Sequence, residues 1–149
     1  MSPDGIRIRQ LGQEDYDALR EIWRRAGLHT IRARGRDSRE AFARQLESKL
    51  QTALGLEVDG RLVAVVLTTH DGRKGWINRL AVDPAHRRKG HAARLVAAAE
   101  EVLRGQGLQV MAALVEEENQ ASLALFRRLG YTEIDPGIHY LSKRDTPEA

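Results

Sequence analysis

The chain contains no cysteine. A disulfide framework, a cysteine-zinc site and a thiol nucleophile are therefore excluded. Aromatic residues make up only 5% of it and form no stacking motif, so nucleic acid is not an expected partner. No apolar run approaches the length of a membrane span, so no membrane association is expected. The opening "MSPDGIRIRQ" lacks the apolar core of a signal peptide, and a cytoplasmic location is the expectation. Neither the phosphate-loop spacing GxxxxGK(S/T) nor the dinucleotide spacing GxGxxG occurs.

What is present fits a globular protein. At 149 residues, 42% hydrophobic and 30% charged, the chain reads as a single domain over 1–149, with a frayed tail at 144–149. The net charge of +3 is modest, but its distribution is not even. Arg24, Arg25, Arg32, Arg34 and Arg36 follow one another with no Asp or Glu between them. The basic residues are mostly arginine throughout, 20 against 4 lysines.

Alternation in "IRIRQL" predicts a strand from about Ile6 to Gln10. Tyr16, Leu19, Ile22 and Trp23 lie on one face at helical spacing, and Gly27 is a natural stop. A second helix follows, capped by Asp37 or Ser38, with Phe42 and Leu46 inward. "ALGLEV" and "RLVAVVLTT" form a hairpin across Asp59-Gly60, and "WINRLAV" adds a third strand after "HDGRKG". The segment from Gly90 to Gln106 is a helix with Ala92, Leu95, Val96, Ala99, Val102 and Leu103 on its apolar stripe. "LQVMAALV" returns as a parallel strand. "NQASLALFRRLG" is a short helix with an Asn start and a Gly stop. "YTEID" and "IHYLSK" read as a final hairpin across Pro136-Gly137. The expected fold class is α+β (mixed α/β), with a central mixed, mostly antiparallel sheet of six to seven strands flanked by about four helices.

One stretch calls for a ligand. In "LAVDPAHRRKGHAARLV" an apolar strand ends in a turn, then Arg87, Arg88, Lys89 and Gly90 stand at the mouth of a helix. The first turn of a helix leaves amides without partners, and its dipole makes that end positive. Gly90 permits close backbone approach. Together these parts describe an anion site suited to a phosphate or pyrophosphate.

The loop Arg87-Arg88-Lys89-Gly90-His91-Ala92 resembles the Gln/Arg-x-x-Gly-x-Gly/Ala loop of the GNAT superfamily of acyl-CoA-dependent N-acyltransferases. "LAVDPAHR" looks like that family's fourth strand and exit turn, and "NQASLALFRRLGY" is similar to its Asn-x-x-Ser/Ala…Gly-Phe/Tyr helix. The resemblance runs from "IRIRQL" to "HYLSKR" and is strongest from Trp76 to Tyr131. It implies an N-acetyltransferase that takes acetyl-CoA as co-substrate and needs no metal. Leu80, Ala81 and Val82 would offer backbone groups to the pantetheine arm. The amides from Arg88 through His91 to Ala92 would hold the pyrophosphate, with charge from Arg87 and Lys89. Asn119 and Ser122 would flank the sulfur end, Asn119 also serving as a helix cap, and Phe126 would pack on pantetheine.

The resemblance implies direct attack of an amine on the thioester carbonyl, with the oxyanion held by an amide near Val82. No familiar acid or base carries over. Trp76 and Leu114 stand where family members place a Glu, and Phe126 stands where many place a Tyr. The remaining catalytic candidates are His70, Asn78, His139 and Tyr140. Glu116, Glu117 and Glu118 read as a solvated loop, although one of them could face the acceptor. In the family the acceptor enters over the first two helices. This makes Trp23, Arg32, Arg34, Arg36 and Asp37 the expected acceptor residues, and clustered arginine favours a carboxylate or phosphate on that acceptor. The resemblance implies an acceptor that is an amine of a small molecule or a protein. The missing acid and base leave a catalytically silent acyl-CoA sensor as the alternative. Dimers are common in the family, so a homodimer is open.

Overall fold

The structure is a computed structural model and describes residues 4–134 and 139–149. Strand β1 (Ile6–Leu11) leads into α1 (Tyr16–Arg25), which buries Leu19, Ile22 and Trp23 along one face. Helix α2 (Arg39–Glu47) starts at Ser38, whose Oγ accepts from the Ala41 amide at 3.1 Å. Ser38 is thus the cap and Asp37 is free for another use. Strands β2 (Gln51–Val58), β3 (Arg61–His70) and β4 (Gly75–Val82) form the meander. Asp59 and Gly60 take φ of 50° and 82°, the backbone that a two-residue hairpin turn requires. Helix α3 (His91–Gly105) then returns the chain to β5 (Met111–Ala112), and α4 (Gln120–Arg128) follows.

The strands lie in the order β1-β2-β3-β4-β5, antiparallel except for the β4–β5 pair, which is parallel. Both faces of the sheet are covered. Leu54, Leu56, Ala64, Val66 and Ile77 pack on α3 and α4, while Ala53, Val65, Leu67 and Ala81 pack on α1 and α2. Consecutive strand residues point to opposite faces, so neighbours sort into two cores. From α3, Leu95, Val96 and Leu103 are fully buried. At roughly 1.5–3 kcal/mol for each large apolar side chain, they fix the helix and with it the loop at its mouth. Gly75 allows this close approach, since a Cβ there would lie 2.6 Å from a Leu103 methyl.

Three expectations need correction. The sheet has five strands among the described residues, not six or seven. The strand expected over 108–115 is reduced to Met111–Ala112, because it leaves β4 after two residues. The final hairpin is not seen among the described residues: 131–134 and 139–143 carry no strand pairing, and the Pro136-Gly137 turn lies outside them. The tail over 144–149 lies along the loop between α1 and α2. Arg36 donates to the Ala149 carbonyl at 2.9 Å, and Arg34 pairs with Glu148 at 3.4 Å.

Candidate active site

Strand β4 contains a bulge. Leu67 faces Asn78 and Val65 faces Ala81, so Arg79 and Leu80 together oppose Val66. Arg79 takes a φ of 52°, a left-handed conformation that non-glycine residues seldom adopt. The extra residue reverses the alternation beyond it. Ile77 packs on the α3 side, while Ala81, of the same parity, packs on the α1 side. The pairing with β5 has already stopped at Trp76 and Ala112. Beyond that point the two parallel strands form an open fork, and the edge of β4 from Ile77 to Val82 has no strand partner among the described residues.

The β4 limb ends at Asp83, which is buried, accepts from the Ala85 amide at 3.0 Å and pairs with Arg25 at 2.7 Å. This clamp between α1 and the end of β4 sets the course of the loop beyond. Arg88 and Gly90 both have positive φ, 64° and 80°, and Gly90 is the N-cap residue of α3. The first amide to close on the helix is that of Arg94, on the Gly90 carbonyl. The amides of His91, Ala92 and Ala93 precede it and are left for a ligand or solvent. Arg87, Arg88 and Lys89 are exposed, and none makes an ion pair or side-chain hydrogen bond among the described residues. The His91 side chain turns inward. It is 4% exposed with no partner on either ring nitrogen, and burial, aided by the nearby His86, Lys89 and Arg94, lowers its pKa. At this position only the amide of His91 is available to an anion.

Asn119 accepts from the Ser122 amide at 3.2 Å and so caps α4. Phe126 turns inward. It is 7% exposed, packed in the α3-side core and edge-on to Tyr131 at 5.0 Å between ring centroids. Tyr131 donates to Glu100 at 2.6 Å, and burial with that bond raises its pKa well above the usual phenol range.

At the other end of the fork the side chains are already engaged. Asp37, expected on the acceptor surface, is 8% exposed. Its Oδ2 accepts from Arg79 at 3.0 Å and from the Arg32 amide at 2.8 Å, and Tyr16 donates to its carbonyl. Arg79 also donates to Thr30 Oγ1 at 2.6 Å. The bulged guanidinium therefore pins the α1–α2 loop to β4. Trp23, also expected at the acceptor, is 2% exposed and packed in the α1-side core, because it lies on the helix face turned to the sheet. Arg32 donates back to the carbonyls of His29 and Ile31, and Arg34 and Arg36 contact the tail. Of the catalytic candidates, His70 Nδ1 accepts from the Gly72 amide and Asn78 donates to Thr69 Oγ1, both local bonds. His139 and Tyr140 are exposed.

Sequence reasoning passed over two side chains at this end, Arg79 and His29. His29 Nε2 lies 3.0 Å from Glu116 Oε2, and one side-chain nitrogen or oxygen from each of His29, Glu116 and Glu118 lies within 4.8 Å of the others. Arg79 carried one signal, a charge in the middle of "WINRLAV", where the apolar alternation slips.

The model of the acetyltransferase (GNAT) family matches residues 11–131. A relative, "Acetyltransferase ECA0875" of Pectobacterium atrosepticum, is 29% identical over 130 residues, covering 87% of this chain and 90% of its own. Among solved structures, the PaiA N-acetyltransferase from Thermoplasma acidophilum in complex with coenzyme A aligns with a TM-score of 0.76 at 22% identity, over 92% of this chain and 94% of that one. AAC(6')-Iy in complex with the bisubstrate analog CoA-S-monomethyl-acetylneamine aligns with a TM-score of 0.77 at 19% identity, over 93% and 99%.

Proposed function

Because the chain belongs to the acetyltransferase (GNAT) family, we propose that it transfers the acetyl group of acetyl-CoA to a primary amine of a small molecule or protein. One observation carries this reading: the fork between β4 and β5 runs into a loop of three unpaired cations and an open helix N-terminus. The fork suits an extended pantetheine arm, which would pair with the free edge of β4 at Leu80, Ala81 and Val82. The loop suits the pyrophosphate. The two solved neighbours in complex with coenzyme A and with a coenzyme A conjugate support the same ligand here.

The chemistry asks little of the protein beyond position. The amine attacks the thioester carbonyl, an amide near Val82 stabilises the oxyanion, and coenzyme A leaves as thiolate. A thiol of pKa ~8.5 leaves without prior protonation, so a hydroxyl at position 126 is not needed. The amine is the harder partner. An alkylamine of pKa ~10.4 is about one part in a thousand neutral near pH 7.4, a deficit of roughly 4 kcal/mol.

The test is calorimetric titration of the protein with acetyl-CoA, followed by thiol release with a panel of alkyl diamines, aminosugars and N-terminal peptides. Saturable binding with release on at least one amine is expected. Binding without release on any of them would favour the silent sensor, and no binding would overturn both readings.

A further inference from the structure

The loop between α1 and α2 spans the mouth of the fork. Thr30 meets the β4 limb through Arg79, and its neighbour His29 meets the chain beyond β5 through Glu116. Two adjacent residues of one loop thus touch both limbs. The geometry points to His29 as the general base that takes a proton from the acceptor ammonium, with Glu116 as the positioning residue that fixes its tautomer. This deepens the acetyltransfer reading and rests on it.

Three observations carry the assignment. First, no carboxylate or imidazole stands on β4 from Ile77 to Val82 or on the chain from Ala113 to Val115, and Arg79 is committed to Thr30 and Asp37. His29 is the titratable base that the loop brings to this place. Second, the two ring nitrogens differ in their surroundings. Nε2 lies 3.0 Å from Glu116 Oε2, while Nδ1 has no charged partner among the described residues. A carboxylate beside Nε2 favours the proton on that nitrogen and the lone pair on Nδ1, the form a base requires. Third, the pair does little for the fold. Both side chains are largely exposed, at 70% and 42%, and an exposed pair contributes little to folding. A change at either residue should leave a folded protein.

The step balances as follows. Nδ1 accepts a proton from the acceptor ammonium. The freed lone pair forms the N–C bond, and the carbonyl π pair moves to oxygen. Collapse restores the carbonyl and breaks the C–S bond, whose electrons leave with the thiolate. The new amide nitrogen gives its remaining extra proton to that thiolate, and the imidazolium returns its own to solvent. The charged groups facing His29 are Glu116 and Glu118 from the β5–α4 loop and Arg32 on its own loop.

The test uses wild type, His29→Ala and Glu116→Gln with acetyl-CoA and the best amine of the panel, in buffer containing a chelator. A positioned base contributes typically 10²–10⁴-fold, and an exposed one belongs at the low end. His29→Ala should lose roughly 100-fold in kcat near pH 7.5 with acetyl-CoA affinity unchanged. The gap should narrow to a few-fold at about pH 9.5, where an alkylamine supplies its own neutral form. Added imidazole should restore part of the rate, because the site is open. Glu116→Gln should lose roughly three- to tenfold, since a neutral amide of the same shape no longer balances an imidazolium. A His29→Ala defect independent of pH and deaf to imidazole would overturn the assignment while leaving acetyltransfer intact. Loss of wild-type activity to the chelator would overturn it in favour of a metal on the same three side chains. Absence of release from wild type with every amine would sink the acetyltransfer reading and this one with it.

Discussion

The two ends of the fork hold the same kinds of side chain in opposite states. At the mouth of α3, Arg87, Arg88 and Lys89 stand in solvent with no partner among the described residues, beside amides that precede the first helical bond. At the α1–α2 loop, Arg32, Arg34, Arg36, Arg79 and Asp37 are all bonded within the chain. Unspent charge is free to meet an anion. Spent charge marks a loop being held in place. A run of arginines therefore says little about a ligand until its partners are known. The arginine-rich segment that first suggested an anionic acceptor does its bonding at home.

The largest expected effect is at the unspent end. Gly90→Glu forces an L side chain to a φ of 80° and adds a negative charge beside the free amides. Open space around a Cβ at Gly90 means that the fold itself should survive. Acetyl-CoA affinity should fall by more than about 100-fold, or roughly 2.7 kcal/mol. Calorimetry on a variant with native circular dichroism checks this, and retained affinity would mean the anion sits elsewhere.

Phe126→Ala separates the coenzyme end from the core beneath it. The ring is buried against Tyr131, so truncation should cost about 3 kcal/mol of stability. Acetyl-CoA affinity, measured where the variant is folded, should change little. A large loss of affinity at unchanged stability would restore the packing of Phe126 on pantetheine.

The helices, turns and caps were legible because each depends on residues close in sequence. Helical spacing at Leu19, Ile22 and Trp23, the Asp59-Gly60 turn and the Asn119 cap are all local signals. Asp37 and Ser38 looked equivalent as caps, since the choice was made by Arg79, a residue far along the chain. The pairing of His29 with Glu116 is equally remote and leaves no trace in either segment. The final hairpin was expected from alternation in "YTEID" and "IHYLSK" alone, and alternation permits a strand without supplying a neighbour. The fold class was therefore readable, and the long-range contacts of the α1–α2 loop were not.

Arg79→Ala tests the spent end. It leaves the Asp37 carboxylate, 8% exposed, with only the Arg32 amide. Breaking a fully buried pair costs about 3–5 kcal/mol, and the partial exposure of Arg79 reduces this to roughly 2. Urea unfolding should show that loss. Arg79→Asn should recover a few tenths of it, because Asn tolerates the left-handed backbone better. In both variants the KM for the amine should rise more than that for acetyl-CoA. Equal rises would mean that the two ends are one mechanical unit.

The smallest effects should be the most diagnostic. Arg87→Ala and Lys89→Ala each remove one unpaired charge from a solvated loop, so each should weaken acetyl-CoA by roughly three- to tenfold at low salt. The losses should shrink near 0.5 M salt, where the screening length falls to about 4 Å. Arg34→Ala and Arg36→Ala carry the same change of charge at the other end, and should alter acetyl-CoA affinity by less than about twofold at any salt. Dephospho-CoA resolves the assignment further. A cation that holds the ribose phosphate should matter less for that ligand, and one that holds the pyrophosphate should matter equally for both. If all four substitutions weakened acetyl-CoA alike, the attraction would come from the net charge of the protein and not from a built site. The contrast between spent and unspent arginines would then have no bearing on binding.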